Sequence, residues 1–194
     1  IHIANTGGVK IEDNDILFNL NSVPSDLYRG IRLEGAQECL IRGNTIDNHL
    51  TGGLPGFNNQ LTAIRVDFSS FTDIKCNTIT NMGYCMDFQG ENSYIPMADN
   101  SMNVYNLGIN LGLQNGLLVY PTNIGNQQGI PTIGFGNAWN DMSSGRDRVE
   151  GHIIQPNPIP WYHHSDEDFD NEECPIPSSG IANGTITPTG DQTG

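Results

Sequence analysis

The sequence predicts an all-β chain: a parallel β-solenoid of about five rungs, closed by an irregular C-terminal cap. Three observations predict it. A phrase of about seventeen residues recurs along the first two thirds of the chain. Its columns alternate apolar and polar residues with a period of two, as in a strand with one buried face. No segment carries a sustained apolar stripe at helical spacing.

The phrase is clearest in Gly30 to Ile46 and Ala63 to Ile79, which align without a gap. Ile1 to Ile16 follows it one position in, and Cys85 to Met102 follows it with one inserted residue. A fifth copy, Gly108 to Ile124, keeps the apolar half and loses the asparagine register. The first strand of each copy places Ile1, Ile31, Ile64, Met86 and Ile109 inward, then Ile3, Leu33, Val66, Phe88 and Leu111. A second short strand turns Ile11, Ile41, Ile74 and Met97 inward. A fixed asparagine follows in four copies (Asn14, Asn44, Asn77 and Asn100), and beyond it stand Ile16, Ile46, Ile79 and Met102. Asparagine suits a bend between strands, because it tolerates the left-handed conformation and bonds nearby backbone. Stacked at the roughly 4.8 Å strand spacing, asparagine amides can also bond one another.

Two inserts, Leu17 to Arg29 and Asp47 to Thr62, follow the first two copies at one corner. The later copies have only Thr80 to Tyr84 and Asn103 to Leu107 there. Stacked, the inserts would raise a rim carrying Tyr28, His49, Asn58 and Asn59, the candidate binding residues, since loops on a rigid scaffold often bind. The repeats are expected over 1–124 and a cap over 125–177, with Trp139 and Trp161 in the lid that the last apolar cross-section requires. Gly, Thr and Pro dominate 178–194, which reads as a linker or frayed tail. The chain starts inside a repeat, so it reads as a piece of something longer.

The formal net charge is −14, from 22 acidic and only 8 basic residues. Nucleic acid is therefore not an expected partner, since that binding needs clustered Lys and Arg. No apolar run is long enough for a membrane span. The cysteines Cys39, Cys76, Cys85 and Cys174 lack metal-ligand spacing, and Cys39 and Cys85 read as buried free thiols.

Six carboxylates crowd the run Ser165 to Cys174, and Asp166, Asp168 and Asp170 are the candidate oxygen ligands, for Ca²⁺. The run lacks an EF-hand spacing, and a solvated acidic loop is its commoner meaning. No other cofactor is expected. The outward residues Arg32, Glu34, Arg65 and Asp67 form the surface on which an enzyme would be built. Two carboxylates roughly 5–10 Å apart would serve a glycoside hydrolase. A lyase would use the arginines against a uronate. The competing reading is a ladder of opposite charges that stabilises strand pairing, and it is the preferred one, so no catalytic residue is assigned.

The phrase Ile-x-Leu…Ile-x-x-Asn-x-Ile resembles the right-handed parallel β-helix repeat of pectate-lyase-like proteins. Gly136-Asn-Ala-Trp139, Pro160-Trp-Tyr162 and Cys174-Pro175 resemble the region after the β-helix in large secreted surface proteins of Bacteroidota. The resemblance implies a right-handed coil and a structural or adhesive module at the cell surface or outside the cell. Its partners would be other domains of a larger chain and a glycan or surface protein. Two alternatives stand beside it: a polysaccharide lyase or glycoside hydrolase of the pectate-lyase-like class, and a repeating subunit of an extracellular filament.

Overall fold

The computed structural model describes residues 1–20, 22, 25–49, 60–114, 117–118, 124, 137–139, 147–151, 161–163 and 184–186. No helix occurs among these residues. Each copy of the phrase lays down strands in the same order. The first forms β1 (His2–Ala4), β2 (Lys10–Glu12) and β3 (Asp15–Phe18), and the second β4 (Tyr28–Glu34), β5 (Leu40–Arg42) and β6 (Thr45–Asn48). The third begins with β7 (Leu61–Asp67) and β8 (Asp73–Lys75), then runs on as β9 (Thr78–Gln89) into the fourth. There β10 (Met97–Ala98) is followed by β11 (Ser101–Leu111). Shorter pieces follow: β12 (Leu113–Gln114), β13 (Leu117–Leu118), β14 (Ala138–Trp139), β15 (Asp147–Gly151), β16 (Trp161–His163) and β17 (Gly184–Ile186).

Every pairing between copies is parallel. A nine-stranded sheet has the order β1-β4-β7-β9-β11-β14, with β15 on β11 and the branch β3-β6 joining at β9. A separate four-stranded sheet runs β10-β8-β5-β2. The large sheet curls into a half-barrel because β9 serves both branches. Thr78–Thr80 pair with Thr45–Asp47 of β6, and Tyr84–Gln89 pair along β7. The segments Thr80–Tyr84 and Asn103–Leu107, expected as short corner connections, lie inside β9 and β11. Without an insert, the strand carries straight on around the corner, bending at Asn81 (φ 58°).

Register pairing stacks the predicted columns. Ile31 faces Ile64, then Met86, Ile109 and Val149 follow, and Leu33, Val66, Phe88 and Leu111 stack beside them. Ile11, Ile41, Ile74 and Met97 form the column of the four-stranded sheet. Ile11, at the edge, is 5% exposed, and Ile31, Ile64, Met86, Ile109, Leu33, Val66, Phe88, Leu111, Ile41, Ile74 and Met97 are fully buried in one core. Each such side chain contributes about 1.5–3 kcal/mol of apolar burial. Cys39 and Cys85 are buried free thiols, and Cys76 is disulfide-bonded.

Bends between the sides are set by left-handed residues, and these also stack. One column holds Asn5, Gly35, Phe68 and Gly90, with Gly112 of the next copy one position earlier, beside Gln89; a second holds Gly8, Glu38, Phe71 and Tyr94; a third holds Asp13, Gly43, Cys76 and Asp99. Asn81 completes the set of positive-φ residues among those described. Several are not glycine, at a cost of about 1–2 kcal/mol each for the left-handed backbone. Inter-copy hydrogen bonds hold them there: Asp13 N donates to Arg42 O at 3.1 Å, Glu38 N to Ser70 O at 3.2 Å and Phe71 N to Ser93 O at 2.9 Å. The asparagine column itself is not left-handed. The residue before each asparagine takes that conformation, which corrects the expectation that asparagine is chosen for its φ.

Parallel pairing continues beyond Ile124. Ala138 and Trp139 pair with Ser101 and Met102, and β15 pairs with the far half of β11. The hairpin β12-β13 is antiparallel, as is β16-β17. Residues Gly184–Ile186, inside the stretch expected to be linker, form that last strand beside Trp161–His163. Trp139 thus stands in the column of Ile16, Ile46, Ile79 and Met102, and Trp161 opens β16.

Candidate functional site

The asparagines make a continuous amide ladder. Asn14 Nδ2 donates to Asn44 Oδ1, Asn44 Nδ2 to Asn77 Oδ1, and Asn77 Nδ2 to Asn100 Oδ1, each at 2.9 Å. The backbone N–H of each donates to the same oxygen of the next, at 3.0–3.2 Å. Each amide also reaches the carbonyl of the inward residue one copy earlier: Asn44 to Ile11, Asn77 to Ile41 and Asn100 to Ile74. The sequence reading stopped at Asn100. The structure adds Asn137, whose Oδ1 accepts from Asn100 Nδ2 at 2.9 Å and whose Nδ2 donates to Met97 O. Its signal is Gly136-Asn137-Ala138-Trp139, which matches Gly43-Asn44-Thr45-Ile46 but falls 37 residues after Asn100.

Outside the first strand of each copy runs a second chain of contacts. His2 Nε2 lies 3.1 Å from Glu34 Oε2, and Arg32 Nη2 is 3.1 Å from the same oxygen. Arg32 Nε reaches Asp67 Oδ2 at 2.9 Å, and Arg65 Nε reaches Asp67 Oδ1 at 2.8 Å. Arg65 Nη1 then binds Asp87 Oδ2 at 2.9 Å, and Gln89 and Asn110 amides donate to Asp87 Oδ1. The four residues Arg32, Glu34, Arg65 and Asp67 are therefore brought together, alternating in sign. Asp67 and Asp87 are almost wholly buried, with 5% and 1% of their side chains exposed. Both Asp67 oxygens accept from guanidinium groups. Arg29, which the sequence reading passed over, sits beside this chain. Burial, assisted by Arg65, lowers its pKa to about 10, and its Nη1 donates to Tyr28 O at 3.0 Å.

At the corner of the inserts, Phe18 lies between two predicted binding residues. Its ring meets Tyr28 edge-on, with centroids 6.4 Å apart, and its carbonyl accepts from His49 N at 2.9 Å. Tyr28 and His49 are both exposed. Buried Asn48 ties the first insert to β6 by a reciprocal pair, accepting from Leu20 N at 2.8 Å and donating to Leu20 O at 3.0 Å. Asn58 and Asn59 lie outside the described residues, as do Asp166, Asp168 and Asp170. Among the described residues no group of three His, Cys, Asp or Glu side chains is placed to hold a metal ion.

A third feature was not predicted. Between β1-type and β2-type strands, single bridges link Gly7, Gln37, Ser70 and Ser93 across four copies. Asn92, fully buried, organises the bend below: its Oδ1 accepts from Ser69 N at 2.8 Å, and Ser69 Oγ accepts from Ala36 N at 3.0 Å. On the outside of the same corner Phe68, Phe71 and Tyr94 are more than half exposed. Phe71 and Tyr94 stack with centroids 5.0 Å apart and planes within 5°. Toward the first copies the corner opens into a groove of about 400 Å³ lined by Asn5, Thr6, Gly7, Gly35, Gln37 and Glu38.

No protein-family model, curated protein or solved structure matches the chain.

Proposed function

We propose that the chain is a right-handed parallel β-helix that serves as a non-catalytic structural or adhesive module of an exported cell-surface protein. Support for the coil comes from stacked copies in parallel register, three aligned left-handed bends per copy and one amide ladder through Asn137. The observation that carries the functional reading is the alternating chain from His2 to Asp87. Its carboxylates and guanidiniums are spent on one another, and a binding scaffold uses charge in this way more readily than a hydrolase or lyase does. The disulfide at Cys76 supports an oxidising compartment. The net charge of −14 supports a soluble surface that repels its own copies. Partners are other domains of the same chain and a glycan or surface protein.

The experiment is to incubate the protein with neutral and uronate polysaccharides and follow chain length by size exclusion. Unchanged length, together with a lowered melting temperature for Asp67→Asn, is the expected result. Shortened chains, with shortening lost in Asp67→Asn at an unchanged melting temperature, would establish the lyase or hydrolase reading instead.

A further inference from the structure

The corner that carries Phe68, Phe71 and Tyr94 is built against two local preferences at once. Its left-handed columns contain glycine at Gly8, Gly35 and Gly90, the residue that suits such a backbone. At φ 47°, 55° and 56° the chain instead places Phe68, Phe71 and Tyr94. Each is then left 53–56% exposed, so neither backbone comfort nor core burial accounts for it. Strained backbone that surrounding hydrogen bonds hold in place gathers where a protein meets a ligand.

The rings are also held in position. Phe71 and Tyr94 lie flat against each other at about the strand spacing. The Phe68 ring sits over Gly90, where any Cβ would run into it. Phe71 turns its other face away from Tyr94, toward the copy in which Glu38 holds the same column. Glu38 also lines the groove, so groove and aromatic rings are consecutive stretches of one ridge. The groove lining offers amides, a hydroxyl, a carboxylate and backbone, and contains no Lys or Arg.

We propose that this ridge binds a neutral oligosaccharide. A pyranose ring presents C–H groups on its faces and hydroxyls around its edge. The faces match the aromatic surface, and the hydroxyls match Asn5, Gln37 and Glu38 in the groove. Glu38 and the acidic chain disfavour a uronate or sulfated glycan, which would require an opposing cation. The inference rests on the adhesive reading above and deepens it, moving the binding face from the insert corner to the opposite end of the first strands.

The test is affinity electrophoresis of the full chain in gels containing hydroxyethyl cellulose, galactomannan, dextran or polygalacturonate. At least one neutral polymer should retard the wild type, and polygalacturonate should not. Phe71→Ala and Tyr94→Ala should each weaken that retardation about tenfold or more, with circular dichroism unchanged, while Phe71→Tyr should retain it. Retardation by no neutral polymer, equal retardation by polygalacturonate, or retention by both alanine variants would each overturn the proposal. Retardation lost only in Tyr28→Ala or His49→Ala would sink the ridge and leave the adhesive reading standing. Shortening of the polymer would sink the non-catalytic reading, and the ridge variants would still report where the glycan lies.

Discussion

At the scale of single residues, the ladder asparagines and Asp99 are the most exacting positions. Asn77 accepts two hydrogen bonds from Asn44 through one oxygen and donates to Ile41 O, Lys75 O and Asn100 Oδ1. Replacing it with alanine strands several buried groups, each worth about 1–3 kcal/mol. Asn77→Ala should therefore cost roughly 3–5 kcal/mol in chemical denaturation, if part of the loss is relieved by local adjustment. Asn77→Asp should cost more at neutral pH, because a carboxylate facing three acceptors has nothing to donate. Asn14, at the edge of the sheet, should lose only about 1 kcal/mol on the same change. Asp99 differs in kind. Its Oδ1 is buried without a hydrogen-bond partner, and burial raises its pKa from 3.8 to about 7 against the opposing pull of Lys75. A carboxyl raised in the folded state contributes its stability below pH 3.8 and loses it as pH climbs toward about 7. Asp99→Asn keeps the shape and tolerates the left-handed bend. Its melting temperature should equal the wild type near pH 3.5 and exceed it at pH 7.5, flattening the slope between. Parallel curves across that range would show that Asp99 does not titrate there.

At the scale of strands, the outer charge chain and the inner amide ladder divide the labour of holding copies in register. The columns of isoleucine and leucine supply most of the burial. A slip of one residue would turn those side chains outward, yet a slip of two would keep them buried. The alternating Arg32, Asp67, Arg65 and Asp87 contacts penalise that second kind of slip, because they are specific to one pairing. Arg65→Met should cost about 3–5 kcal/mol, since it leaves two nearly buried carboxylates short of a cation. Thermal unfolding checks this, and added salt should change the difference little because the pair is shielded from water. A cost under 1 kcal/mol would mean the contacts are an exposed surface decoration. Much of this element was legible beforehand: opposite charges recurring in adjacent columns identify a ladder without coordinates. Asp87, Gln89 and Asn110 fall in the same outward columns of the sequence; that Arg65, Gln89 and Asn110 all meet at the Asp87 carboxylate needed the side-chain positions.

At the scale of the whole chain, the repeat made the class of fold readable, because each copy repeats the same inward residues. The bends were less readable. Glu38, Phe68, Phe71 and Tyr94 are not turn formers, and only stacked hydrogen bonds between copies make their conformation affordable. The fifth asparagine was hidden by distance, since Asn137 arrives after the β12-β13 hairpin and other chain that the earlier copies lack. The aromatic ridge was invisible for a related reason: the residues aligned with Phe68, Phe71 and Tyr94 in the other copies are Asn5, Gly8, Gly35, Glu38 and Gly90. Ladder, bends and charge chain together make one claim, that successive copies stack into a coil around buried asparagine amides. Side-chain amide hydrogen exchange, followed by NMR on the ¹⁵N-labelled protein, tests it most directly. The NH₂ groups of Asn44, Asn77, Asn100 and Asn137 should exchange far more slowly than exposed asparagines, with Asn14 intermediate. Exchange of Asn44, Asn77 and Asn100 at the rate of free amides would contradict the coil.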